Sequence, residues 1–149
     1  MNVDKILTKG TAVVCDLDGT LAILNGRNPY DASQCETDTL NEELAEVINY
    51  LDLVCGHAVI ILTGRSEAYR EATEQWLKDK GIRYDKLFMR PGEMQSMPAA
   101  EFKEIMLDND ILPDYHVYLA FDDMYQVCDM FRRKGIPCWQ VNPDPYKLK

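Results

Sequence analysis

The chain has 149 residues, 46% of them hydrophobic and 28% charged, which suits one globular domain with a full core. Its formal net charge of −9 argues against coating long nucleic acid, because such affinity comes from Lys and Arg on phosphates; it leaves room to grip one terminal phosphate. No apolar run reaches membrane-spanning length and the start, MNVDKILTKG, lacks an apolar h-region, so neither membrane insertion nor secretion is expected.

In chain order, strand and helix signals alternate. TAVVCDL (11–17) is rich in β-formers, and NEELAEVINYLDLVCG (41–56) carries Leu44, Val47, Ile48 and Leu51 at helical spacing before Gly56. HAVIILTG (57–64) is a continuous apolar run, the mark of a strand buried on both faces. SEAYREATEQWLKDKG (66–81) opens on a Ser cap candidate and stops at Gly81. YDKLFMR (84–90) reads as a short strand, and MPAAEFKEIMLDND (97–110) as a helix with Pro98 near its first turn. YHVYLAFDD (115–123) is a buried strand running into paired carboxylates. MYQVCDMFRRKG (124–135) is a helix and PCWQV (137–141) a last strand. Such alternation predicts an α/β fold: a three-layer, Rossmann-like open sheet of about five parallel strands in a single domain.

Ligands of such sheets sit beyond the carboxyl ends of the strands. The residues expected there are Asp16 and Asp18 after the first strand, Thr63, Gly64 and Arg65 at the end of the second, and Asp122 and Asp123 after the fourth. Desolvated carboxylates need a partner, and Asp16, Asp18, Asp122 and Asp123 could surround one hard cation. Mg²⁺ favours a few carboxylates together with water and phosphate oxygens. A carboxylate in line with a phosphoryl group can act as a nucleophile, and its neighbour two residues on can serve as acid and base. Thr63 could give a hydroxyl, and Lys103 a charge, to the phosphate oxygens. Together these are the parts of a phosphomonoester hydrolase.

DLDGT (16–20), LTGR (62–65), Lys103 and FDD (121–123) resemble the four motifs of the haloacid dehalogenase (HAD) superfamily. The resemblance implies Asp16 as nucleophile, Asp18 as general acid/base, and Mg²⁺ held by Asp16, the Asp18 backbone carbonyl and Asp123, with Asp122 close by. DLDGTLAILNGRNPYD (16–31), TGR and FDDMYQVCDMFRRKGIPCWQV (121–141) are similar, more narrowly, to the 3′-phosphatase half of phage polynucleotide kinase-phosphatases. That likeness implies a substrate bearing a 3′-phosphate on DNA or RNA, and places Arg27 and Arg65 in the site, where they would grip the substrate. The family's acid four residues before the lysine is replaced by Ala99, with Glu101 the nearest acid. No G-x-x-x-x-G-K-[ST] loop occurs, so 5′-kinase activity is not expected, and a separate kinase or ligase is the partner to look for in end repair. The connections near 21–40 and 90–97 are too short to fold into a lid domain, so an open, uncapped site able to admit a polynucleotide end is expected.

Other readings stand beside these. The runner-up enzyme is a small-molecule phosphatase or nucleotidase, which the acidic charge suits; a scaffold phosphorylated at Asp16 is a further alternative, against which an intact Asp18 argues. DLDG has its glycine too early for a calcium loop. Asp122 and Asp123 could cap the next helix, Arg65 could pair with Glu67, and Lys103 could be a solvated helix residue. Cys15 should pack inward as Asp16 faces the site. His57, His116 and Trp76 read as structural. Arg132, Arg133 and Lys134 suit a helix C-terminus, and Trp139 is either core or a stacking platform. Five cysteines without a C-x-x-C pair read as reduced, cytoplasmic thiols.

Overall fold

A computed structural model describes residues 9–142. Residues 1–8, read above as lacking a secretory signal, and residues 143–149 lie outside it. Five strands form one parallel sheet: β1 (Gly10–Cys15), β4 (Ala58–Ser66), β5 (Lys86–Arg90), β6 (Tyr115–Asp122) and β7 (Cys138–Gln140), in the order β5-β4-β1-β6-β7. β2 (Ala22–Ile23) and β3 (Thr39–Leu40) make a separate antiparallel ribbon. The helices are α1 (Glu42–Leu53), α2 (Arg70–Asp79), α3 (Ala99–Met106) and α4 (Tyr125–Arg133). The expected α/β sheet of five parallel strands is the one observed.

The sheet is buried on both faces, as its near-continuous apolar strands require. Alternate residues of β1 divide between two cores: Val13 and Cys15 pack with Ile48, Val59, Ile61, Trp76 and Leu77, whereas Ala12 and Val14 pack with Ile60, Phe102, Val127 and Phe131. Cys15 is thus core, as expected. Among the described residues no helix is long and apolar enough to cross a membrane.

The boundaries differ from expectation where the chain meets the site. β1 stops at Cys15, so Asp16 and Leu17 already belong to the following turn. β4 runs on through Thr63–Gly64–Arg65 to Ser66, with a register break after Leu62. Ser66 caps a 3₁₀ turn (Glu67–Tyr69) rather than α2 itself, and α3 passes into a π-helical turn at Leu107–Ile111. The connection from β1 to α1 holds only the β2–β3 ribbon and a 3₁₀ turn at Cys35–Thr37; that from β5 to α3 holds one 3₁₀ turn, Gly92–Met94.

The chain moves outward from β1 through β4 to β5, then returns to β6 on the other side of β1. β1 and β6 therefore flank the point where strand order reverses, and the crevice there is the usual ligand position. Cys15 pairs with Phe121, and the Asp16 N–H donates to the Phe121 carbonyl at 3.0 Å. This register brings the acids of residues 16, 122 and 123 together despite a separation of more than a hundred positions in sequence.

Candidate active site

Asp16 is nearly buried and both its oxygens are held. Lys103 Nζ donates to Oδ1 at 2.8 Å, and the Thr20 hydroxyl donates to Oδ2 at 3.0 Å. The same ammonium donates to Asp122 Oδ2 at 2.6 Å, while Asp122 Oδ1 accepts from the Met124 N–H at 3.0 Å. Lys103 is 2% exposed, so the solvated-lysine reading fails. Burial would disfavour its charge, but Asp122 and Asp16 outweigh burial and raise its pKa. The Met124 contact lies ahead of α4, whose N-cap, Met124, has no side-chain cap bond, so neither Asp122 nor Asp123 caps that helix.

Gly19 lets the chain turn back at this point. Its φ is +82°, and a Cβ there would lie 2.3 Å from Asp123 Oδ2. Glycine is needed both for the left-handed backbone and for the close approach of Asp123. The turn is fastened by Gly19 N–H to the Ala22 carbonyl and Ala22 N–H to the Leu17 carbonyl, each at 2.8 Å.

Oxygens of Asp16, Asp122 and Asp123 lie within 4.8 Å of one another. Burial first, and Asp16 second, push the pKa values of Asp122 and Asp123 above the usual carboxylate range. One ammonium therefore does not balance these acids. An all-oxygen donor set with surplus negative charge fits a hard divalent cation such as Mg²⁺. The Asp18 carboxylate is not part of this cluster.

Asp18 instead faces two arginines. Arg65 reaches its Oδ1 through Nη2 (2.7 Å) and Nε (3.0 Å), and Arg27 Nη2 reaches the same oxygen at 2.8 Å. Asp38, unmarked in the sequence reading, lies behind both guanidinium groups. It accepts from Arg27 Nε (2.8 Å) and Nη2 (2.7 Å) and from Arg65 Nη2 (2.9 Å), with its side chain wholly buried. Burial opposes the charge on Arg27, yet the hydrogen bonds and charges of Asp38 and Asp18 hold its pKa above the ordinary value. Arg27 arrives on a folded loop: its Nη1 donates to the Asn28 and Asp31 carbonyls, and Asn28 Oδ1 accepts from the Tyr30 N–H. Glu67 is not the partner of Arg65; it pairs with Arg70 one turn on.

Thr63 is fully buried in β4, and its hydroxyl oxygen accepts from the Arg65 N–H at 3.1 Å, leaving the hydroxyl proton to donate. Gly64 stands beside it with the Arg90 guanidinium 3.2 Å from where a Cβ would be. The remaining candidates fall outside the cluster. His57 stacks on Tyr118 and bonds Thr11, and Trp76 is core, its Nε1 donating to the Asp38 carbonyl. Arg133 pairs with Asp129, and Lys134 with Glu104 and Asp108, so the basic run is largely neutralised within the protein. Trp139 is 57% exposed with its ring edge-on to Phe121. All five cysteines are free.

Sequence reasoning thus named all three residues of the Lys103–Asp16–Asp122 cluster and three of the four in the other, Asp18, Arg27 and Arg65. It missed Asp38, the hold of Thr20 on Asp16 and the contact of Gly19 with Asp123. The signal for Asp38 was electrostatic. Two arginines assigned to one buried site require more acid than Asp18 alone.

An open parallel sheet with these acids at its switch point defines a phosphatase of the HAD class. The chain belongs to the family of phosphatase domains of polynucleotide kinase PNKP, whose model matches residues 10–146. A relative from Autographa californica nuclear polyhedrosis virus, provisionally named a bifunctional polynucleotide kinase/RNA ligase, is 31% identical over 128 residues; these make up 85% of this chain and 18% of the relative. Two solved structures superpose with a TM-score of 0.86 at 42% identity, both from Pnkp1/Rnl/Hen1 complexes, the second described as an RNA repair complex. They cover 91% and 92% of this chain, which spans 47% and 44% of theirs. The chain therefore corresponds to less than half of each of these proteins.

Proposed function

We propose that this domain is an Mg²⁺-dependent phosphomonoesterase that removes 3′-phosphates from polynucleotide ends through an aspartyl-phosphate on Asp16. The observation that carries this reading is the hold on Asp16: Lys103 and Thr20 fix its two oxygens beside Asp122 and Asp123 at the switch point. A carboxylate so restrained can meet phosphorus in line without reorganising. Asp16, Asp122 or Asp123, and the backbone carbonyl of Asp18 would hold Mg²⁺, whose chemistry is to offset charge on the phosphoryl oxygens.

Asp16 attacks phosphorus and the bond to the 3′ oxygen breaks. Asp18 gives that oxygen its proton, then takes one from the water that releases inorganic phosphate. Arg27 and Arg65 hold Asp18 in its carboxylate form, the form that takes the proton from water. Lys103 and the Thr63 hydroxyl serve the phosphoryl oxygens, with Gly64 leaving room for their approach. The connections around the strand ends are short, which suits a polynucleotide end entering from solvent. The relatives' names support end repair with a kinase or ligase as partner.

A panel of 3′-phosphorylated oligonucleotides, 5′-phosphorylated oligonucleotides and mononucleotides, each with Mg²⁺ or chelator, tests the reading. Turnover confined to 3′-phosphorylated ends and lost with chelator is expected. Preference for mononucleotides would instead support the small-molecule phosphatase, which the net charge of −9 favours.

A further inference from the structure

Arg90 differs from the other buried arginines. It ends β5 at the carboxyl edge of the sheet and is 8% exposed. Arg27 and Arg65 each meet Asp18 and Asp38, whereas among the described residues Arg90 makes no ion pair. Its Nη1 donates to the carbonyls of Met94, Gln95 and Met97, which carry no net charge. The guanidinium lies over the Phe102 ring, 5.0 Å from the centroid, which offsets part of its desolvation. Burial pulls its pKa below the ordinary arginine value.

The other edge of the guanidinium is unused. Nε and Nη2 have no acceptor among the described residues, and neither is sealed from solvent. Both face Gly64, at 3.9 and 3.2 Å from the Cβ position that glycine leaves vacant. A largely buried cation without a counter-charge is costly to keep. Two parallel donors on one planar edge match the geometry of two phosphate oxygens. Phe102 precedes Lys103, and Gly64 lies between Thr63 and Arg65, so this open edge adjoins the phosphate-handling residues.

We propose that Arg90 binds a phosphodiester: its Nε–Nη2 edge, open beside Gly64, holds the internucleotide phosphate next to the 3′ end on which Asp16 acts. This rests on the polynucleotide reading above. The guanidinium stands beside Gly64 on β4, the strand between β5 and β1. Lys103 and Thr63 already serve the phosphate that Asp16 attacks, which leaves Arg90 for the next phosphate along the polynucleotide. A mononucleotide has no second phosphate for it to hold. Arg90 would therefore favour polynucleotide ends over free nucleotides.

The experiment compares wild type, Arg90→Gln and Arg90→Lys on three substrates: a 3′-phosphorylated dinucleotide, the same molecule with an uncharged methylphosphonate linkage, and a nucleoside 3′-monophosphate. Arg90→Gln should lose about tenfold in kcat/KM on the charged dinucleotide, mainly through KM, with the mononucleotide unchanged. The methylphosphonate should cost wild type a similar factor and cost Arg90→Gln nothing more; Arg90→Lys should keep part of the preference. Equal losses on dinucleotide and mononucleotide would show that Arg90 only secures the 91–98 connection or serves the terminal phosphate, and would overturn the proposal. So would a full methylphosphonate penalty in Arg90→Gln. If wild type turns over the mononucleotide but not the dinucleotide, the polynucleotide reading itself falls, and this proposal with it.

Discussion

At the scale of single residues, each charged group of the site is defined by what holds it. Asp16→Asn keeps the shape of the side chain but loses the proposed nucleophile; Asp18→Asn loses the proposed acid/base. Both should abolish phosphate release, and turnover in either variant would refute the assigned roles. Thermal unfolding should stay close to wild type for Asp16→Asn, which sheds surplus negative charge. It should fall for Asp18→Asn, which leaves Arg27 and Arg65 with Asp38 as their one counter-charge. Asp38 makes a different prediction. Removing its carboxylate leaves Arg27 and Arg65 side by side with only Asp18 between them. Breaking one partner out of a buried ion-pair group costs about 3 kcal/mol or more, so Asp38→Ala should unfold earlier in urea and also lose activity as Asp18 loses its alignment. Gly19→Ala should fail for steric reasons, since its Cβ would sit 2.3 Å from Asp123 Oδ2 at a φ of +82°; lost turnover with a lowered melting temperature is expected. Asp16, Asp18 and Asp123 were legible in the sequence because a strand does not end on paired acids without cause. Asp38 was not, because it lies in an irregular connection where no periodicity marks which side chain turns inward.

At the scale of elements, the strands were legible for one reason: a parallel strand covered on both faces must be apolar at every position, so its limits show in composition. Their order was less so, since the sequence shows alternation but not the return from β5 to β6 across β1. Lys103 illustrates the gap. Helical periodicity places Phe102 and Lys103 on α3, but only tertiary packing brings the ammonium between Asp16 and Asp122. Asn41 shows an element boundary serving the site. Its Oδ1 accepts from the Leu44 N–H to cap α1, and its Nδ2 donates to the Thr20 carbonyl at 3.0 Å. Asn41→Ala should cost about 1 kcal/mol through the cap. It should also lower kcat, because Thr20, which fixes Asp16 Oδ2, loses its anchor. Asn41→Asp keeps the acceptor for the cap but not the donor, so it should recover stability more than kcat. Equal recovery of both would mean that the Nδ2 contact with Thr20 does not serve the site.

At the scale of the whole molecule, the surplus of acid over base in the crevice couples stability to pH and to metal. Burial and Asp16 raise the pKa values of Asp122 and Asp123, Asp123 to about 8. The unfolded chain releases these protons near pH 4. Between those limits the folded state binds more protons than the unfolded state, so stability falls as pH rises. Lys103, with its pKa raised, stays charged throughout and contributes no slope there. A divalent ion bound to the ionised acids removes their repulsion and competes with their protons. In chelator, the melting temperature should therefore drop steadily from about pH 5 to pH 8. Saturating Mg²⁺ should flatten that slope, with its stabilisation growing toward higher pH and reaching about 2.7 kcal/mol at a hundredfold excess over Kd. Asp123→Asn should lose most of the slope in chelator and respond weakly to Mg²⁺. Parallel pH profiles with and without the ion would mean that the acids of residues 16, 122 and 123 do not hold it. The mechanism proposed for Asp16 would then have to work without a cation at these acids.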